Sequence, residues 1–145
     1  MIRILILITL LPLTAISETS MGLLQGRHIL NEDLNNTHPY VTYEKENFGL
    51  TAFINSFQKL SIAPHYRVNT RVSDVELIAR IGAVTGYDEL TIYNNKVYKI
   101  HGALFLSRDL MLIVAPEFRY NFSGKSYMNA VLLGDSITFG LGVRF

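Results

Sequence analysis

The last ten residues, Ser136 to Phe145, alternate strictly. Ile137, Phe139, Leu141, Val143 and Phe145 fall on one face of an extended chain, and Ser136, Thr138, Gly140, Gly142 and Arg144 on the other. A period of two predicts a β-strand with one apolar face. The pattern recurs upstream. Leu60, Ile62, Tyr66 and Val68 oppose Ser61, His65, Arg67 and Asn69, and Val75, Leu77, Ala79, Ile81 and Ala83 oppose Glu76, Arg80 and Gly82. Leu112, Val114, Phe118 and Tyr120 likewise oppose Glu117 and Arg119. Apolar runs of strand length between polar breaks predict eight strands, over 20–29, 38–45, 48–56, 60–69, 75–85, 97–106, 111–120 and 130–145, the last with an irregularity before Asp135. No segment after the N-terminal run carries the pattern of a long helix.

Alternation alone leaves two readings. In a soluble sandwich the charged face would meet water and the apolar face would be the core. In a small barrel in lipid the arrangement inverts, and Glu76, Arg80, Glu117, Arg119 and Arg144 pair inside. The start of the chain favours the barrel. Arg3 precedes an almost wholly apolar run from Ile4 to Leu13, followed by Thr14-Ala15-Ile16-Ser17. The run is short for a spanning helix, and Ala15 and Ser17 suit a signal peptidase. We therefore expect a cleaved signal peptide over 1–17, with Glu18 as the mature N-terminus and an uncleaved anchor as the alternative. An amphipathic last strand closing on Phe145 resembles the end of bacterial outer-membrane barrels. Aromatic residues near strand ends (Tyr40, Phe48, Tyr66, Tyr87, Tyr98, Phe118, Tyr120) fit an interfacial girdle.

The expected fold is thus all-β, an eight-stranded antiparallel outer-membrane β-barrel forming one domain over 18–145. With both ends periplasmic, 29–37, 57–59, 86–96 and 121–129 become extracellular loops, and 45–47, 70–74 and 107–109 become periplasmic turns. That topology brings His28 and Asn55-Ser56 to the same outer rim.

Composition adds mostly exclusions. Setting residues 1–17 aside leaves 12 Lys and Arg, all but Arg3 of the chain's 13, against 12 Asp and Glu, so no basic excess points to nucleic acid. Cysteine is absent, which excludes disulfides and thiolate metal sites. The histidines His28, His38, His65 and His101 lack metal-ligand spacing, and no phosphate loop or nucleophile elbow is present. No metal or cofactor is expected. His65 reads as an interior residue in a polar network, His101 as a strand residue, and His38, before Pro39, as a turn residue. The strongest candidate chemistry joins His28 with Asn55 and Ser56. An imidazole and a hydroxyl at one rim supply a base and a positioned nucleophile or donor, and a carboxamide could orient the ring.

Thr51-Ala-Phe-Ile-Asn-Ser-Phe-Gln-Lys59 resembles the strand and turn of outer-membrane lipid A palmitoyltransferases (the PagP family), which carry an Asp-Ser-Phe-x-Lys stretch. Arg27-His28 followed by Asn31, Asn35-Asn36 and His38-Pro39 resembles the segment of small PagP-like proteins, including phage-encoded ones. Ile81-Gly-Ala-Val-Thr-Gly-Tyr87 is similar to a segment of the same small relatives. The resemblance spans about Gly22 to Phe145 in short pieces. It implies a barrel that takes an acyl chain from an outer-leaflet phospholipid and passes it to lipid A, with membrane lipids as partners and a monomeric state. His28 would be the base, Ser56 its hydroxyl partner, and Asn55 would hold the position of the family's Asp. The chain departs from the family in that Asn55 itself, in lacking an amphipathic helix before strand one, and in a charged interior that would crowd an acyl slot. Such a slot could lie above the charges, near Ile78, Val84, Ile113 and Ala115.

Two function classes follow. A PagP-like acyltransferase predicts that His28 and Ser56 meet within hydrogen-bond reach beside an apolar cavity. A non-catalytic small barrel, acting through its loops in adhesion, resistance or phage exclusion, predicts an interior filled with paired charges. A soluble lipocalin-like binder is disfavoured by the terminal strand.

Overall fold

Alternating residues of opposite polarity build a wall with two different faces. A computed structural model describes residues 17–28, 33–100, 103–134 and 136–145. The expected signal segment up to residue 16, Asn31 and His101 lie outside the described residues. The strands are β1 (Ser17–His28), β2 (Thr37–Lys45), β3 (Phe48–Ile54), β4 (Leu60–Val72), β5 (Val75–Thr85), β6 (Leu90–Tyr93), β7 (Lys96–Lys99), β8 (Phe105–Ser107), β9 (Leu110–Asn121), β10 (Ser126–Leu133) and β11 (Ser136–Arg144).

Eight of them, β1 to β5 and β9 to β11, form a closed antiparallel barrel. β5 pairs directly with β9, β9 with β10, and β11 returns to β1 through Gly22 opposite Gly142. Closure leaves no free wall edge, so every strand has a hydrogen-bonding neighbour on both sides. Large apolar residues point outward all round the wall, among them Leu23, Val41, Leu50, Leu77, Ile81, Val114, Leu132, Phe139 and Leu141. Charged and polar residues point inward. This is the inverted arrangement of a transmembrane-type barrel. Exposed Tyr43, Phe48, Tyr66, Phe118, Tyr120, Phe122 and Phe145 gather at the end where β11 finishes, hereafter the lower end. Tyr40, expected among the girdle aromatics, instead points inward and bonds the Tyr127 hydroxyl at 2.8 Å. A side chain at Gly22 would strike Tyr40 and one at Gly142 would strike Tyr127, so these facing glycines make room for that pair.

The strand count matches the sequence expectation, but the later assignments do not. Asn94 and Asn95 both adopt positive φ, 49° and 61°, which is the two-residue hairpin signature and suits asparagine. They fold 90–99 into a small separate hairpin, so the expected strand over 97–106 is not a wall strand. The sixth wall strand is β9, and the described residues between Thr85 and Leu110 form an excursion at the upper rim. The expected strand over 130–145 divides at Gly134, φ 59°, into β10 and β11. The connection expected over 121–129 therefore shrinks to 122–125 at the lower end, and the 107–109 turn belongs to the upper rim.

The interior has two layers. Toward the lower end, Glu18, Glu44, Glu76 and Glu117 interlock with Arg67, Arg80, Arg119 and Arg144. Arg67 Nη1 donates to Glu44 at 2.7 Å, Arg80 Nε to Glu44 at 2.8 Å, Arg119 Nε to Glu117 at 2.8 Å and Arg144 Nη2 to Glu76 at 3.1 Å. His65 joins the network through Glu44 at 2.9 Å, and Arg119 stacks 4.1 Å over the Tyr127 ring. An eight-stranded barrel is just wide enough for its side chains to fill, and here ion pairs fill it. Above them lie apolar side chains in two clusters, Leu24 with Ala115 and Val131, and Phe53 with Ala63 and Val84.

Candidate functional site

The upper rim is assembled by the segments that leave β1 and β3. Residues 34–37 fold back on the end of β1, where the Gly26 amide donates to the Asn36 carbonyl at 2.9 Å. Asn35 is the hub. Its backbone amide donates to the Ser56 carbonyl at 2.9 Å, and its side-chain amide donates to the carbonyls of Thr37 and Asn55 at 2.7 and 3.1 Å. Its own carbonyl oxygen lies 3.3 Å from His28 Nε2. His28, Asn55 and Ser56 therefore meet the same rim, linked through Asn35. No hydrogen bond joins the His28 ring to the Ser56 hydroxyl or to the Asn55 carboxamide.

Asn55 is fully buried, and its carboxamide is fully occupied. Nδ2 donates to Ser61 Oγ at 3.0 Å and to the Gly86 carbonyl at 2.9 Å, while Oδ1 accepts from the amides of Phe57 and Lys59 at 2.9 and 3.0 Å. Two donors and two acceptor positions are all an amide has. An aspartate could take the two backbone amides but could not donate to Ser61 and Gly86. The turn over 55–59 explains the amide at this position. Gly86 belongs to the same arrangement: its φ is 84°, and an added side chain would press on Ser61 and Asn55.

His38 was read from the sequence as a turn residue. It is the first inward-facing residue of β2, only 2 % exposed. Its Nδ1 lies 2.9 Å from the Ile54 carbonyl oxygen, and its ring meets His28 edge to face with centroids 6.4 Å apart. Period-two spacing from Tyr40, Thr42 and Glu44 was the signal that places it inside.

Below the rim lies a cavity of about 70 Å³. Leu24, Phe53, Ala63, Ile113, Ala115, Val131 and Leu133 form its apolar walls, and Arg80, Glu117 and Arg119 its charged floor. Of the residues expected around an acyl slot, Ile113 and Ala115 line it, whereas Val84 and Ile78 are buried away from it. The volume is under half that of the ~150 Å³ apolar cavity that accommodates benzene. Outside the wall, an open apolar groove of about 820 Å³ runs past Leu23, Pro39, Val41, Ile54, Leu60 and Leu141. Tyr40 and Phe53 border both the groove and the cavity.

The β6–β7 hairpin leans on this rim. Phe57 sits 6.0, 6.0 and 5.9 Å from the rings of Tyr87, Tyr93 and Tyr98. Ion pairs Lys59–Asp88, at 3.4 Å, and Lys96–Asp33 tie it further, and the Asp33 carboxylate raises the affinity of the Lys96 ammonium for its proton. Among the described residues no cluster of three or more His, Asp or Glu could hold a metal ion. No family model matches the chain, and no curated protein matches it.

Proposed function

We propose that the protein is a bacterial outer-membrane barrel whose upper rim faces outward and moves an acyl chain from a phospholipid to lipid A. The observation that carries the reading is the division of the interior. An ionic plug fills the lower half, and a cavity with apolar walls lies between it and a rim holding two buried imidazoles. A pore would have no use for the plug, whereas an acyl chain needs apolar walls beside polar groups that act on its ester. Tyr40 and Phe53, shared by the cavity and the lipid-facing groove, are where a chain would pass from bilayer to interior. The ester and the acceptor hydroxyl would meet at the rim of His28, Asn55 and Ser56.

Mass spectrometry of lipid A from cells expressing the protein tests this. A gain of one acyl chain, lost in His28→Ala and Ser56→Ala, is the expected result. Unchanged lipid A beside a folded barrel in the outer-membrane fraction sinks it.

A second reading, a non-catalytic barrel acting through its outer loops, draws on the bonding of the rim. The Asn55 carboxamide serves its turn, His28 and Ser56 are not hydrogen-bonded to each other, and the cavity would have to enlarge to hold a long chain. The exposed Leu90, Ile92 and Val97 of the hairpin are then the contact surface.

A further inference from the structure

The two imidazoles of the rim are wired differently. His28 turns Nε2 to the Asn35 carbonyl oxygen. A carbonyl only accepts, so this nitrogen carries a hydrogen. His38 turns Nδ1 to the Ile54 carbonyl oxygen at 2.9 Å, which puts its hydrogen on Nδ1. In the neutral ring Nε2 is then a bare lone pair. That Nε2 is buried and has no hydrogen-bond partner among the described residues. A buried polar atom without a partner is costly and calls for an explanation. The other such atoms of the wall are the Ser20 hydroxyl, amide oxygens of Asn121 and Asn129 and guanidinium nitrogens of Arg67 and Arg144, none of which is a base near neutral pH. His38 is the imidazole among them. It stands beside Leu24 of β1 and one inward step from Tyr40, and both of those line the cavity.

An imidazole with Nδ1–H fixed by an acceptor and Nε2 left open has the wiring of a general base. Resting on the acyl-transfer reading above, we propose that His38 is the base of the rim site and acts through Nε2. The acceptor lipid's hydroxyl oxygen attacks the carbonyl carbon of the donor's acyl ester. A new carbon–oxygen bond forms to the acceptor, and the bond from the acyl carbon to the donor's glycerol oxygen breaks. The hydroxyl proton moves to His38 Nε2 and then to the departing glycerol oxygen, which leaves the ring neutral again. The Ile54 carbonyl holds the ring while it is doubly protonated, and His28, edge-on to it, is a positioning residue.

The test separates the base from the scaffold. In His38→Asn the side-chain amide can occupy the place of Nδ1 and keep the bond to Ile54, but nothing replaces Nε2. We expect lipid A acylation to fall about 100-fold or more, in line with the loss of a general base, while heat-modifiable gel mobility shows a folded barrel. Wild-type acylation in His38→Asn overturns the assignment. ¹⁵N NMR of histidine-labelled protein in micelles reads the tautomer without turnover. Nδ1–H at His38 supports the proposal, and Nε2–H overturns it while leaving acyl transfer standing. A folded wild-type barrel that adds no acyl chain overturns the acyl-transfer reading and the base with it.

Discussion

The lower and upper halves of this interior bury polar groups under opposite rules. In the lower half each carboxylate meets at least two guanidiniums: Glu44 touches Arg67 and Arg80 and also bonds His65, and Glu18 touches Arg67, Arg119 and Arg144. The positions are over-determined, so removing one group leaves its neighbours with fewer partners and the network with one unmatched charge. At the rim the bonding is sparser and less even. Asn55 has every bond an amide can make, while His38, on the next strand, has one nitrogen held and the other open. Saturation marks a side chain whose task is to hold the fold. An open valence in a buried ring marks one with something left to do.

The sharpest way to break the comparison is Arg67→Ala. It takes one partner each from Glu44 and Glu76 and leaves four buried carboxylates facing three guanidiniums, and we expect a loss of about 3–5 kcal/mol, read by urea unfolding in detergent. A loss below 1 kcal/mol would mean that the plug is wet and loosely paired. Asn55→Asp should cost about 1–3 kcal/mol, because the Ser61 hydroxyl and Gly86 carbonyl lose their shared donor. If thermal unfolding shows it to be neutral or stabilising, the amide was not what the turn requires. Tyr40→Phe removes one hydroxyl of a buried pair and should cost about 1 kcal/mol in the same assay. At the small end, Lys96→Ala breaks an exposed ion pair and should leave the melting temperature unchanged. A clear drop would show that the hairpin is part of the cooperative unit.

Much of the wall was legible because an apolar outer face and a charged inner one enforce alternation residue by residue. The last strand, the inward Glu76, Arg80, Glu117, Arg119 and Arg144, and the meeting of His28 with Asn55-Ser56 at one rim followed from that, while Glu18 and Glu44 of the same network did not. The sequence misled where apolar character did not mean wall. Val97, Tyr98, Leu104 and Leu106 read as a strand, but Tyr98 packs on Phe57, and Val97, Leu104 and Leu106 are exposed on the excursion. The turn at Gly134 showed only as an irregularity before Asp135, because the strands it joins are apolar on both sides of it. Asn35 could not be found as the hub, since its role rests on backbone groups of Asn55 and Ser56, twenty residues away. His38 was hidden by Pro39, whose local turn preference outweighed the inward register that the strand imposes.

The seam between β1 and β11 carries a consequence for assembly. Glu18 from the first wall strand is held by Arg144 from the last, and by Arg119 and Arg67 from strands between. An open sheet would expose these charges one-sidedly to the bilayer. The ring therefore completes the contacts of Glu18 only as it shuts. Half-closed intermediates are penalised, and insertion should proceed as a single concerted event whose rate is set by bringing the two ends of the chain together.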